Sequence, residues 1–195
     1  MIWYGAPGTG KTYAIRALIY ALRATHTVVN VSDVPEFLLR SDYYYGLLDE
    51  SKPILFILED AADSLIRSTR AKNEPSISRI LNLTDGLVAE GRNDLFLVSF
   101  NEALEELDPA IVRPGRCNQI VKFSELSKDE ASEWLKVHDC ELTDKAKKTY
   151  SLAELYSALH NSGKMVKRTT DLSNTRSIGF GQRYEYYHHD AISEE

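Results

Sequence analysis

The sequence predicts a three-layer α/β domain built on a parallel sheet, followed by a small all-α domain. Two apolar runs, residues 53–58 and 94–100, have strand length and lack the alternation of a half-exposed strand. They alternate with stretches of helical spacing, the pattern of a parallel sheet covered on both faces. After Phe123 only helical patterns remain.

Residues 1–4 read as the end of a strand, and residues 5–12 as a Gly-rich turn. Residues 11–24 then carry Ala14, Ile15, Leu18, Ile19 and Leu22 at helical spacing. Residues 27–31 form a short strand. The connection over residues 32–52 holds Phe37 and three consecutive tyrosines, Tyr43, Tyr44 and Tyr45, and is read as partly helical. Residues 53–58 are a buried strand closed by acids. Residues 76–89 are a helix with Ile77, Ile80, Leu81 and Leu87 on one side. Strands follow at residues 94–100 and 118–123. Beyond them, Ser127 with Glu130 and Ser151 with Glu154 form capping boxes that each open a helix. The expected organisation is a core over residues 1–125, a helical domain over 126–163 and a C-terminal extension or tail over 164–195.

The 195 residues are 43% hydrophobic and 27% charged, with a formal net charge of −6. That suits a globular chain and excludes the basic footprint of a nucleic-acid binder. Lys164, Lys167, Arg168, Arg176 and Arg183 lean basic and read as a solvated tail. Cys117 and Cys140 make neither a disulfide framework nor a metal-ligand spacing, which fits a reducing compartment. The apolar runs are too short for a membrane span, and residues 1–4 are too short for a signal peptide. A soluble, cytoplasmic protein is expected. The five histidines show no ligand geometry, and Trp3 and Trp134 read as core residues.

Gly5, Ala6, Pro7, Gly8, Thr9, Gly10, Lys11 and Thr12 match the pattern G-x-x-x-x-G-K-[ST] in full. Glycines let successive main-chain N–H groups turn inward around phosphate oxygens, and the following helix presents its positive end to the same anion. Lys11 is placed to reach the β- and γ-phosphates, and the Thr12 hydroxyl to ligate Mg²⁺. The pattern implies ATP or GTP. Such a site needs a second strand ending in carboxylates, one for the metal and one for the attacking water. Residues 54–60 end in Glu59 and Asp60. By position Glu59 serves the metal and Asp60 the water, with Asp60 reaching about 1.5 Å less than a glutamate.

Further segments resemble the AAA family of ATPases. The loop carries the Pro-Gly-Thr-Gly-Lys-Thr core that family favours. Residues 96–101 resemble its strand that ends in an asparagine, here Asn101, near the γ-phosphate and the water. Residues 107–116 are similar to its second region of homology, whose two arginines, here Arg113 and Arg116, reach the neighbouring subunit's γ-phosphate. Residues 150–155 are similar to a motif of its helical lid, with Leu152 in place of a glycine and Ala153 where other clades place an arginine. Glu59-Asp60 and residues 78–86 most resemble the branch containing the mitochondrial inner-membrane translocases. Cys117, Asn118 and Gln119 depart from the family's aromatic, acid and arginine.

The resemblance implies an ATPase using ATP and Mg²⁺, assembled as a homo-oligomeric, hexameric ring that remodels a macromolecule, protein rather than nucleic acid. Phe37 or one of Tyr43, Tyr44 and Tyr45 lines the central pore of such a ring, or these residues simply pack the intervening helix. The chain starts four residues before the loop, where relatives carry a further domain and linker, which reads as a fragment or a reduced version. A second reading, from the Glu-Asp order, is a nucleotide-binding assembly module with little or no hydrolysis. A third, a small-molecule kinase, has no use for the arginines of residues 108–116.

Overall fold

The computed structural model describes residues 1–40, 44–47, 51–66, 70–85, 91–113, 116–142, 146–162 and 175–178. Six strands make one parallel sheet in the order β5-β1-β4-β3-β2-β8. These are β1 (Ile2–Tyr4), β2 (Thr27–Val31), β3 (Ile54–Leu58), β4 (Leu95–Phe100), β5 (Ile120–Lys122) and β8 (Thr175–Ile178). Every residue of β3 is buried, as its unbroken apolar run requires for a strand covered on both faces.

One face is covered by α1 (Lys11–Leu22), whose Ile15 and Ile19 pack on Trp3, Val28, Leu55, Ile57 and Leu97. The other face carries α2 (Val34–Leu39), α3 (Ala62–Leu65) and α4 (Arg70–Asp85). Phe37, Leu38, Leu65, Ile77 and Ile80 there meet Val29, Phe56, Phe96 and Phe100. The layers are therefore α/β/α, as the alternation predicts. Helix α4 begins six residues before the expected start at Ser76. Apolar periodicity begins only at Ile77, and Pro75 reads as a boundary although it lies inside the helix.

The helical domain comprises α5 (Lys128–Lys136) and α6 (Leu152–Asn161), each opened by the predicted capping box. Ser127 N donates to Glu130 Oε2 at 2.7 Å, and Ser151 N to Glu154 Oε2 at 2.7 Å. Ala131, Leu135, Tyr150, Leu155 and Leu159 form its core. Two short antiparallel strands, β6 (Leu126–Ser127) and β7 (Thr149–Tyr150), are added to the expected all-helical plan. Two-residue strands are too short to leave a period in sequence. The C-terminal extension also contributes: β8, which contains Arg176, pairs in parallel with β2, so that this residue belongs to the sheet's edge strand where a tail was expected.

Candidate functional site

The carboxyl ends of β1, β4 and β3 lie side by side within the sheet, the place where open parallel sheets bind ligands. Tyr4 aligns with Phe100, and Leu58 with Val98. The Gly-rich loop leaves β1, Glu59 and Asp60 follow β3, and Asn101 follows β4. The loop turns where the sequence supplies glycine. Gly5 has φ 142°, and a Cβ there would stand 2.0 Å from the Phe123 carbonyl oxygen. Gly10, φ 104°, caps α1.

Lys11 opens α1 and is buried. Its Nζ donates to the carbonyls of Gly5 at 2.6 Å and Ala6 at 3.1 Å. Burial lowers its pKa, an effect that the charges of Asp60 and Glu102 only partly offset. The ammonium is therefore held at the mouth of a loop by weak carbonyl acceptors that phosphate oxygens can replace.

One residue later, Thr12 Oγ1 donates to Glu59 Oε2 at 3.0 Å. Two hard oxygen donors brought together beside a phosphate loop suit Mg²⁺, which takes few protein oxygens and completes its shell with phosphate and water. Among the described residues no group of three or more His, Cys, Asp or Glu forms a closed cage. The Thr12–Glu59 oxygen pair is of the kind that a Mg²⁺ shared with phosphate takes.

Asp60 sits at φ 52°, a left-handed turn fixed by the bond from Ala61 N to Ser99 O at 3.1 Å. Its Oδ1 accepts from Asn101 Nδ2 at 3.3 Å. Lys11, Thr12, Glu59, Asp60 and Asn101 are thereby gathered in one place. Between the ends of β2 and β3 a cavity of about 320 Å³ opens beside them, lined by Ser32, Asp33, Glu59 and Asp60 among others.

The arginines stand on a separate turn. Leu107 is buried and bridges to Ile66, and Asp108 N donates to Leu65 O at 3.1 Å. Beyond that anchor Arg113 is exposed, and Arg116 Nη1 donates to Ala110 O at 3.1 Å. Among the candidate pore aromatics, Phe37 and Tyr44 are each 2% exposed and belong to the core. The Tyr44 hydroxyl donates to Asp94 at 3.4 Å, and burial with that carboxylate pushes its pKa up to about 12. Tyr45 is exposed, and Tyr43 lies outside the described residues.

The helical domain docks directly on the loop. Ala153 N donates to Gly8 O at 2.9 Å, and Leu152 Cδ2 would lie 2.9 Å from a Cβ at Gly10. Beside this contact Tyr13, next after Thr12, faces Tyr156 with centroids 6.3 Å apart. Tyr156 meets Trp134 at 5.1 Å, and Trp134 meets His138 at 4.6 Å. Trp134 is half-buried and packs against the helical core, as expected, while also meeting this cluster. Sequence reasoning passed over this cluster and Glu102. The one available signal for Tyr13 was its place directly after the loop's threonine.

The family model described as "ATPase family associated with various cellular activities (AAA)" matches residues 1–125. The proteasome-activating nucleotidase of Methanococcus maripaludis is 32% identical over 149 residues, 71% of this chain and 36% of that protein. The 26S proteasome regulatory subunit 4 homolog of Dictyostelium discoideum is 32% identical over 134 residues, 63% of this chain and 30% of that protein. The proteasome-activating nucleotidase of Methanococcus vannielii is 28% identical over 197 residues, 94% of this chain and 47% of that protein. The chain thus spans between about a third and a half of the length of these relatives.

Proposed function

The chain belongs to the AAA family of ATPases, and from that premise we propose that it binds ATP with Mg²⁺ and hydrolyses the terminal anhydride at the loop edge of its sheet. The observation that carries this reading is the convergence of two contacts, Thr12 on Glu59 and Asn101 on Asp60, beside the Lys11 ammonium. Gly5 through Gly10 cradle the phosphates with main-chain N–H groups, and Lys11 neutralises the β- and γ-oxygens. Thr12 and Glu59 hold Mg²⁺, which when bound offsets charge on the phosphates. Asp60 takes a proton from the attacking water, and Asn101 orients that water. The aromatic cluster of Tyr13, Trp134, His138 and Tyr156 receives the base, since it lies at the junction of two domains next to the phosphate loop.

Arg113 and Arg116 serve the site of the next subunit in a ring, a hexamer by family resemblance, and the ring remodels protein. Relatives named as a proteasome-activating nucleotidase and a proteasome regulatory subunit favour a protein substrate over nucleic acid. Among the described residues no helix is long and apolar enough to cross a membrane. Tyr45 is the one described tyrosine of the triplet exposed enough to touch a threaded chain.

Steady-state phosphate release tests the assignment. Turnover that disappears in Lys11→Ala, together with the ATP-dependent rise in melting temperature, is the expected result. An undiminished melting shift in that variant would sink the phosphate-loop reading. The short Asp60 side chain favours a second reading, a nucleotide-binding assembly module. ATP binding without phosphate release would select it.

A further inference from the structure

Asn101 holds two carboxylates at once. Its side-chain Nδ2 donates to Asp60 Oδ1 at 3.3 Å, and its main-chain N–H donates to Glu102 Oε2 at 2.9 Å. Glu102 is half-buried, and its charge, like that of Asp60, acts on Lys11. Its second carboxylate oxygen makes no hydrogen bond among the described residues. Asp60 meanwhile reaches about 1.5 Å less than a glutamate from the same turn. A second acid therefore joins the first on the water-orienting asparagine, with one oxygen fixed and one available.

We propose that Glu102 is a positioning residue of the hydrolytic site: its available oxygen accepts a hydrogen bond from the attacking water at the terminal phosphate, while Asp60 takes the proton. This rests on the hydrolytic reading above and deepens it. Division of the task between two carboxylates compensates for the short reach of Asp60. Glu102 also stands where the γ-phosphate of ATP brings negative charge that ADP lacks. It therefore lowers the preference for ATP in the ground state while aiding the reaction.

The test uses the full chain and three variants, Glu102→Gln, Asp60→Glu and the pair together. Glutamine keeps an acceptor for the Asn101 N–H but loses the charge and presents an amide N–H₂ to the water. Glu102→Gln is expected to raise the ratio of ATP to ADP affinity several-fold and to lower kcat about tenfold. Adding Asp60→Glu should restore most of that turnover, since the longer carboxylate spans the gap alone. An unchanged ATP-to-ADP ratio overturns the proposal, because Glu102 then lies away from the terminal phosphate. Lost turnover with a lowered melting temperature and no recovery by Asp60→Glu also overturns it, leaving Glu102 as a cap for the end of β4. The ratio is read from binding alone. A chain with the raised ratio and no phosphate release would overturn the hydrolytic reading while keeping Glu102 at the terminal phosphate.

Discussion

Ala153, in the first turn of α6, donates its main-chain N–H to the carbonyl of Gly8 across 2.9 Å. The phosphate loop and the helical domain are thus joined by the backbone itself. No side-chain change removes that bond, but proline at position 153 does, and proline is tolerated in a helix's first turn. Ala153→Pro should weaken ATP binding about fivefold, the equivalent of roughly 1 kcal/mol for one hydrogen bond. Isothermal titration checks it. Unchanged affinity would mean that the domain and the loop are energetically independent.

The two acids after β3 should separate by role. Asp60→Asn is expected to keep ATP binding and remove turnover, because it takes the base and leaves the cradle. Glu59→Gln should raise the Mg²⁺ concentration needed for binding, since Glu59, hydrogen-bonded to Thr12, is proposed to hold the metal with it. If Glu59→Gln stops hydrolysis at saturating Mg²⁺ while Asp60→Asn does not, the roles are reversed.

Sharing of the active site between subunits is tested by mixing. Arg113→Ala protein keeps its own phosphate loop but supplies no exposed guanidinium; Lys11→Ala protein does the opposite. Each alone should lose turnover, by about 10³-fold for the arginine variant. Mixtures should recover part of it. Arg116, tied to Ala110 O within its own chain, should show a smaller loss when changed to alanine. Full turnover of Arg113→Ala at dilutions where monomers dominate would remove the trans role.

Trp134→Ala should lower ATP affinity about tenfold, the scale of a lost base–aromatic stack. Binding of inorganic triphosphate, which has no base, should be unaffected. Equal losses for both ligands would place the tryptophan in domain stability alone.

Acid should loosen the helical domain through Glu154. Its carboxyl pKa is lowered to about 2, first by the Lys147 side chain and then by the Ser151 N–H. A depressed folded pKa gives stabilisation that is complete above the ordinary value near 4.5 and is lost as pH falls towards about 2. Melting temperature against pH should decline across that window, and Glu154→Gln should flatten the decline. A parallel decline in that variant would exclude Glu154, with its Lys147 and Ser151 contacts, as the source.

The parts legible in sequence are those where one contiguous stretch carries both the shape and the chemistry. Gly5 to Thr12 named its own turn and helix, and residues 54–60 named a buried strand with acids at its end. Asn101 was placed at the end of its strand by the resemblance of residues 96–101 to the family. Contacts between distant segments were not legible. Tyr13 and Tyr156 are far apart in the chain, and each alone reads as a helix-surface aromatic. Strand β8 has four residues, too few for a period, and its partner is chosen by the open edge of β2. Glu102 follows a strand end like many solvated acids, and only its bond to Asn101 N distinguishes it.

The position of β8 bears on the domain that lies before it in the chain. Strands β5 and β8 are the two opposite margins of the six-stranded sheet, and the helical domain is threaded between them in sequence. The chain thus enters the helical segment from one margin of the sheet and, later in sequence, supplies the strand at the other margin. On its entry side that segment follows β5, which pairs with β1, the strand that runs into the phosphate loop.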